Sequence, residues 1–155
     1  MSDSDTSKGG GHLQIGEVAA RTELSIKTIR HYDEVGLVVP SARSAGGFRL
    51  YTTDDVARLL TIRRMKPVGF SLDDMRELLD AQDVLDAPGT SDEERTAASS
   101  RLADFHQRAE QACARLSRHL DYARELTDAL SVYSDTDSGH TGRFGSREQS
   151  TGVEK

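Results

Sequence analysis

One short predicted helix carries basic and hydrogen-bonding side chains on a single face. Ser25 is a good N-cap for this helix, and Gly36 marks its end. Residues three or four positions apart share a helix face, so Ile26 and Ile29 point away from the polar side chains. The polar face consists of Lys27, Arg30, His31 and Glu34. A helix with an apolar back and a cationic front suits the major groove of DNA. A solvent-exposed amphipathic helix would have the same pattern, so this helix alone does not distinguish DNA binding from an ordinary surface helix.

A basic aromatic ribbon follows this helix. The glycine pair at 46–47 lies between two extended runs and predicts a hairpin or wing. Alternation along the second strand places Phe48 and Leu50 on one face, and Arg49 and Tyr51 on the other. On an exposed ribbon, the guanidinium and the phenol could both contact a phosphate backbone. The alternative is that Tyr51 lies in the core while Arg49 is in solvent.

Three further predicted helices must position these two features. Apolar spacing over 15–22 predicts a short first helix, and a tight turn at 22–25 joins it to the basic helix as a helix-turn-helix. Glu23 occupies this turn where glycine is usual, and a positive φ there would cost about 1 kcal/mol. Beyond the ribbon, 53–55 and 71–74 have the composition of helix caps and precede apolar stripes. We interpret these stripes as core.

The distribution of charge allows a basic surface in the first half of the chain. The formal net charge is -6, and this value by itself argues against binding to nucleic acid. Residues 12–79, however, contain ten basic and nine acidic side chains, whereas 80–134 contain six and eleven. The hydrophobic fraction is 35%, which supports only a modest core. The composition therefore favours long exposed helices over a thick sheet sandwich.

Several classes of protein do not fit the sequence. No apolar run approaches the roughly 20 residues that span a bilayer, and residues 1–11 have the composition of a disordered leader rather than a signal peptide. We therefore expect a cytoplasmic protein without a membrane partner. The single cysteine, Cys113, excludes an internal disulfide and a four-thiolate zinc site within one chain. No nucleophile–base pair, phosphate loop or metal constellation is apparent, so we expect neither an enzyme nor a bound cofactor.

A heptad repeat is the strongest periodic signal in the chain. It follows a polar hinge at 83–97 and predicts a coiled-coil helix over 98–133. A single helix cannot bury such a seam, so the repeat implies a partner, most simply a second copy of the chain. The seam residues expected at the dimer interface are Leu102, Phe105, Ala109, Ala112, Leu116, Leu120, Ala123, Leu126 and Leu130. Residues 134–155 have no period and are expected to be a disordered tail.

Four segments in order give the sequence a specific resemblance. Residues 15–19, 25–37, 47–51 and 69–72 resemble the MerR family of bacterial transcription regulators, with close similarity over 13–79. The resemblance implies a mainly α protein. A winged helix-turn-helix DNA-binding domain at 12–82 would be followed by a long helix that pairs antiparallel with its twin. Two departures from the family pattern are Glu23 in place of the turn glycine and His31 where an aromatic is common.

The resemblance also implies a function and a set of site residues. A homodimer would bind a pseudo-palindromic operator, bend and untwist promoter DNA, and realign the promoter for RNA polymerase. Carried over by position, the DNA-binding residues would be Lys27, Thr28, Arg30, His31, Tyr32, Arg43, Phe48, Arg49 and Tyr51. An architectural DNA-bending protein of the excisionase kind is the alternative, but such proteins usually lack a long coiled coil. A coiled-coil adaptor without DNA binding would not explain the clustered basic residues.

The sequence does not identify an effector, that is, the signal that would control such a regulator. Metal-sensing relatives use two or more cysteines, which this chain lacks. Cys113 lies beside the predicted seam and fits a small buried hydrophobic residue, and the alternative is a thiol that senses oxidants or electrophiles. His106 and His119 lie too far from Cys113 to bind one ion from one helix, which leaves a site formed across the dimer as the remaining metal-binding alternative. Control by the abundance of the protein or by a protein partner remains equally open.

Overall fold

A computed structural model describes residues 11–134. The predicted leader and tail therefore lie outside the described residues, except for residues 11 and 134. The elements are β1 (Leu13–Gln14), α1 (Ile15–Thr22), α2 (Ile26–Glu34), β2 (Ala42–Arg43), β3 (Arg49–Tyr51), α3 (Thr53–Met65), α4 (Leu72–Asp86) and α5 (Asp92–Ser134). This confirms the expected mainly α class with a small wing and a long last helix. The chain divides into two compact units, 1–113 and 114–155.

The core of the first unit forms where α1 packs against α2 and α3. Val18 of α1, Ile29 of α2, and Leu59 and Ile62 of α3 are fully buried. Each lies on the apolar stripe of its own helix, so burying the stripes together removes the hydrophobic surface from water. Leu37 and Val38, which follow α2, are buried in the same core. The polar faces of the helices are thereby left at the surface.

Side-chain caps fix where the helices begin. The Ser25 hydroxyl accepts a hydrogen bond from the Thr28 amide at the start of α2, as predicted. Helices α3 and α4 each begin with a reciprocal capping box, formed by Thr52 with Asp55 and by Ser71 with Asp74. The cap of α3 thus lies one residue before the predicted position. Because these caps are local, the sequence pattern places them to within one residue.

The turn between α1 and α2 adopts the conformation expected to be strained. Glu23 has a φ of 56° and is the only non-glycine residue with positive φ among residues 11–134. Arg63 of α3 forms an ion pair with Glu23 and donates a hydrogen bond to the carbonyl of Thr22 at 3.1 Å. These contacts hold the turn from the side of α3 and offset part of the cost of the left-handed conformation.

A three-stranded antiparallel sheet carries the wing, which we define as residues 42–51. The strand order is β1-β3-β2, so β3 is central, with Leu13 opposite Tyr51 and Arg43 opposite Arg49. The predicted hairpin is present, and its turn is closed by a hydrogen bond from the Ser44 amide to the Phe48 carbonyl at 2.9 Å. The pairing of β1 with β3 was not predicted, because a two-residue strand is too short to give a period.

The predicted hinge at 83–97 is shorter in the structure. Helix α4 continues to Asp86 and α5 begins at Asp92, so only 87–91 are non-helical. Asp83 lies on α4, where it accepts a hydrogen bond from Arg58 at 2.6 Å. Ser91 and Glu94 bond reciprocally at the start of α5. Two of the acidic residues that suggested a polar linker, Asp83 and Glu94, thus act in an ion pair and in a helix cap.

Within the first unit, α5 packs on α4 through an aromatic and ionic cluster. The rings of Phe70 and Phe105 lie 5.4 Å apart, and the Arg108 guanidinium lies about 5 Å from both. Arg108 also donates to Asp74 at 2.9 Å. Phe105 and Ala112 are buried, and Leu102 and Ala109 are half-buried. These four predicted seam residues are thus covered, fully or in part, by the same chain rather than by a second copy. The heptad pattern identifies an apolar seam but does not specify which surface covers that seam.

The described part of the second unit, 114–134, is helical and has an exposed apolar stripe. Leu116, Leu120, Leu126 and Leu130 are all more than 40% exposed. Ala123, which lies at the centre of this stripe, is also exposed. Over residues 11–134, no helix is both long enough and apolar enough to cross a membrane.

We expect the Asp74–Arg108 bond to make stability depend on acid pH. Hydrogen bonds from Arg108 and then from Ser71 lower the pKa of Asp74 from 3.8 to about 2. Because the folded pKa is the lower one, the stabilisation is present above pH ~4 and is lost as the pH falls towards 2. After allowance for solvent screening it amounts to about 1 kcal/mol.

Urea unfolding of wild type and Asp74→Asn checks this dependence. The variant should be less stable at pH 7, and the difference should shrink between pH 4 and pH 2. Asp73→Asn is the matched control, because Asp73 lies in the same helical turn and is 90% exposed. An equal loss of stability from both variants at pH 7 would contradict the role of Asp74.

Candidate nucleic-acid interface

Helix α2 exposes the whole polar face that its spacing predicted, including the acidic Glu34 at its end. Lys27, Arg30 and His31 are exposed. Thr28 is half-buried, and its hydroxyl lies 2.8 Å from that of Ser25, so it also takes part in the N-cap. None of these four side chains forms an ion pair within the described residues. The exposed face of α2 is therefore free to bind an anionic partner.

The structure buries both tyrosines of the predicted interface. Tyr51 is 0% exposed, because it lies on the central strand β3 and joins the core, so its predicted exposure on the ribbon is wrong. Tyr32 is 3% exposed because it follows Ile29 on the apolar face of α2. Burial raises the pKa of Tyr51, and its hydroxyl has no hydrogen-bond partner among the described residues. The alternative of a core tyrosine is the one observed.

We expect Tyr51→Phe to fold at least as stably as wild type and to bind DNA equally well. The substitution removes a buried hydroxyl that gains no hydrogen bond in the protein, and it keeps the ring that packs. Urea unfolding and a DNA mobility-shift titration measure the two quantities. A loss of DNA affinity without a loss of stability would instead assign the phenol a direct contact.

The two wing arginines are held by one carboxylate from α2. Arg49 donates from Nε to Oδ2 of Asp33 at 2.6 Å, and Nη2 of Arg43 lies 3.8 Å from the same oxygen. The hydrogen bond to Asp33 raises the pKa of Arg49. Arg43 also donates to the carbonyl of Gly47 at 3.2 Å. Phe48, at the tip of the wing, is 69% exposed. The sequence did not single out Asp33, because its partners lie 10 and 16 residues further along the chain.

A crevice separates α2 from the wing. It has a volume of about 110 Å³, and its walls include Arg30 from α2 and Phe48 and Arg49 from the wing. Gly47 of the wing, and Gln14 and Ile15 at the junction of β1 and α1, form the rest of the wall. The structure thus brings three of the predicted DNA-binding residues to a single crevice.

A second, wider groove adjoins another side of α2. It has a volume of about 370 Å³ and is bordered by Lys27 and His31 of α2 and by Lys66 at the end of α3. Among the described residues, no acidic side chain lines this groove. Its remaining wall consists of Thr28, Tyr32, Phe70, Leu72 and Met75. Lys66 was not among the predicted site residues. The one sequence signal for it was a basic residue at a helix end, which is too common to be informative.

The part of the chain that the structure describes supplies no ligand set for a metal. Among residues 11–134, no group of three or more His, Cys, Asp or Glu side chains is arranged to hold an ion. Cys113 is exposed rather than buried as expected, because Ala112 occupies the buried position next to it. His106 lies 3.7 Å from Glu110 on the same helix.

Comparison with protein-family models identifies two matches. The model described as "MerR HTH family regulatory protein" matches residues 13–82, and the one described as "MerR, DNA binding" matches 56–123. The first covers the helix-turn-helix and the wing. The second covers α3, α4 and much of α5. Together they include every element that borders the crevice and the groove.

Curated relatives and solved structures agree with these matches. The HTH-type transcriptional regulator CueR of Salmonella typhi is 31% identical over 127 residues, which is 82% of this chain and 83% of the relative. CueR of Vibrio cholerae is 45% identical over 67 residues, or 43% of this chain and 48% of the relative. Nodulation protein NolA of a Bradyrhizobium strain is 32% identical over 114 residues, or 74% of this chain, and the match spans only 43% of the relative.

Two solved structures share the fold. HiNmlR, described as a MerR family regulator lacking the sensor domain, bound to promoter DNA, superposes with a TM-score of 0.61 at 21% identity and covers 83% of this chain and 95% of its own. A MerR family regulator from Bacillus thuringiensis gives a TM-score of 0.60 at 20% identity and covers 79% of this chain and all of its own.

Proposed function

Because this chain belongs to the MerR family of DNA-binding transcription regulators, we propose that it acts as a homodimer that bends or untwists promoter DNA. Members of this family are regulators rather than enzymes. The observation that carries the proposal is the exposed face of α2, with the crevice on the wing side and the basic groove on the other.

The geometry of α2 matches the width of the major groove of DNA. An α-helix with its side chains is about 10–12 Å wide and the groove is about 12 Å wide, so a helix in the groove lies between two phosphate backbones. The wing adjoins α2 on the side that carries Arg30, and Lys66 adjoins it on the side that carries Lys27 and His31. In the proposed complex, the wing contacts one backbone and Lys66 the other. Lys27, Arg30 and His31 face the base edges.

Dimerisation would double this interface. The leucine stripe at 116–130 is exposed in the single chain, and a second copy related by a two-fold axis would bury both stripes. The DNA-binding domains of the two copies then bind the two halves of a pseudo-palindromic operator. Simultaneous binding of both units would favour deformed DNA, at a cost of several kcal/mol that the added contacts offset. We propose antiparallel pairing, action in the cytoplasm, and RNA polymerase as a further partner.

Selection of genomic DNA tests the proposal. The full chain, incubated with fragmented DNA of its own genome, should retain sites that share a pseudo-palindromic sequence within promoters. A circular-permutation assay on such a site should show mobility that depends on the position of the site, as bent DNA requires. Retained fragments without a shared sequence would contradict a sequence-specific regulatory function and favour the architectural, excisionase-like alternative.

A further inference from the structure

We propose that Asp33 is a positioning residue that holds the wing against α2 in the arrangement that binds DNA. The inference rests on the proposed DNA binding, and it assigns a role to an acidic residue within a basic interface. Asp33 lies in the last turn of α2, and its side chain is only 12% exposed. It acts through Arg43 and Arg49 rather than by touching DNA itself.

The sheet register explains why the wing needs this carboxylate. Arg43 and Arg49 are directly opposite each other on β2 and β3. Like charges in opposite positions of neighbouring strands are destabilising. Asp33 accepts a hydrogen bond from Arg49 at 2.6 Å and lies 3.8 Å from Arg43, so one carboxylate compensates both guanidinium groups. Without it, the two arginines would repel each other across the hairpin.

The same contact joins two elements that must bind together. Asp33 belongs to α2, three residues after Arg30, whereas Arg49 belongs to the wing. Arg30 and Arg49 line the crevice between these elements. The hydrogen bond therefore fixes the spacing between the helix that reads bases and the wing that contacts a backbone. A fixed spacing avoids the entropic cost of ordering the wing when DNA binds.

Replacing Asp33 by asparagine removes its charge and distinguishes a positioning role from a purely electrostatic effect on DNA binding. A carboxylate near a DNA-binding surface repels phosphate, so electrostatics alone predicts tighter binding by Asp33→Asn. The positioning role predicts the opposite, and we expect about tenfold weaker operator binding. Asp54→Asn is the matched control, because it makes the same substitution at an exposed aspartate of α3 that lines neither the crevice nor the groove. This control should bind as tightly as wild type or up to about threefold more tightly.

A mobility-shift titration of the full chain on an operator fragment measures these affinities. If Asp33→Asn binds as tightly as wild type or more tightly, the positioning role is overturned. If wild type and Asp54→Asn bind no DNA at all, the proposed function itself fails. Arg30→Ala distinguishes the two cases further, because it tests DNA binding by α2 without touching Asp33.

A second variant keeps the test valid if Asp33→Asn does not fold. Arg49→Lys retains a positive charge that could contact phosphate but lacks the Nε donor that bonds Asp33. We expect it to weaken operator binding about as much as Asp33→Asn, and the double variant to be no weaker than either single one. Wild-type affinity in Arg49→Lys, or fully additive losses in the double variant, would overturn the inference.

Hydrogen exchange of the free protein gives a readout independent of DNA. In Arg49→Lys and Asp33→Asn, the wing amides of Ser44 and Phe48 should exchange faster than in wild type, because their hydrogen bonds close the hairpin. The core amide of Leu59 in α3 should exchange at the wild-type rate. Unchanged exchange in the wing would overturn the positioning role, as would an equal increase at all three amides.

Discussion

Leu126→Glu combined with Leu130→Glu is expected to give a monomer at micromolar concentration that binds operator DNA at least a hundredfold more weakly than wild type. Both leucines are more than half exposed in the single chain. Full burial of an exposed leucine contributes about 1.5–3 kcal/mol. Because each of these leucines is already nearly half covered, two from each of two chains contribute about 3–7 kcal/mol. A micromolar dimer has only about 8 kcal/mol of association free energy, so glutamates at these sites would abolish it.

Sedimentation equilibrium and a mobility-shift titration check this result. The control is Ser117→Glu combined with Ser131→Glu, which adds the same charge to the same unit outside the apolar stripe. The control should remain dimeric and bind DNA normally. Each serine directly follows a seam leucine, Leu116 or Leu130, and this next heptad position lies away from the seam. A double leucine variant that stays dimeric would contradict the placement of the interface at 116–130.

Arg30→Glu is expected to reduce operator affinity by more than a hundredfold, and Arg30→Ala by about tenfold. Arg30 is exposed and lies at the junction of α2 and the wing crevice. An arginine contact to a base or phosphate is worth about 1–3 kcal/mol, and charge reversal adds repulsion from the DNA backbone. Because no ion pair holds Arg30 among the described residues, the loss should appear in binding and not in stability.

The salt dependence of binding identifies the kind of contact. If Arg30 binds phosphate, the slope of log affinity against log salt should fall by about one in Arg30→Ala. If it reads a base, the slope should change little, while discrimination between operator variants should be lost. Arg124→Ala, on the exposed helix of the second unit, is the control and should leave affinity unchanged. Equal affinities for Arg30→Glu and wild type would contradict DNA binding by α2.

Features that depend on near neighbours in the chain could be predicted from the sequence. The cap at Ser25, the end of α2 near Gly36 and the glycine-rich hairpin involve residues only a few positions apart. Local patterns of this kind specify backbone conformation directly. Four motifs in a fixed order also allowed the family to be identified before any contact was known. The exposed basic face of α2 follows from helical periodicity alone.

Features that depend on contacts between distant residues were decided only by the tertiary structure. Alternation along β3 put Tyr51 and Arg49 on one face, but the pairing of β1 with β3 placed Tyr51 in the core. Asp33 gained its role from a wing that lies 10 to 16 residues away in the sequence. The heptad repeat indicated an apolar seam, but packing within the first unit assigned Phe105 to the chain's own core. A sequence period specifies which residues share a face, whereas packing determines what that face contacts.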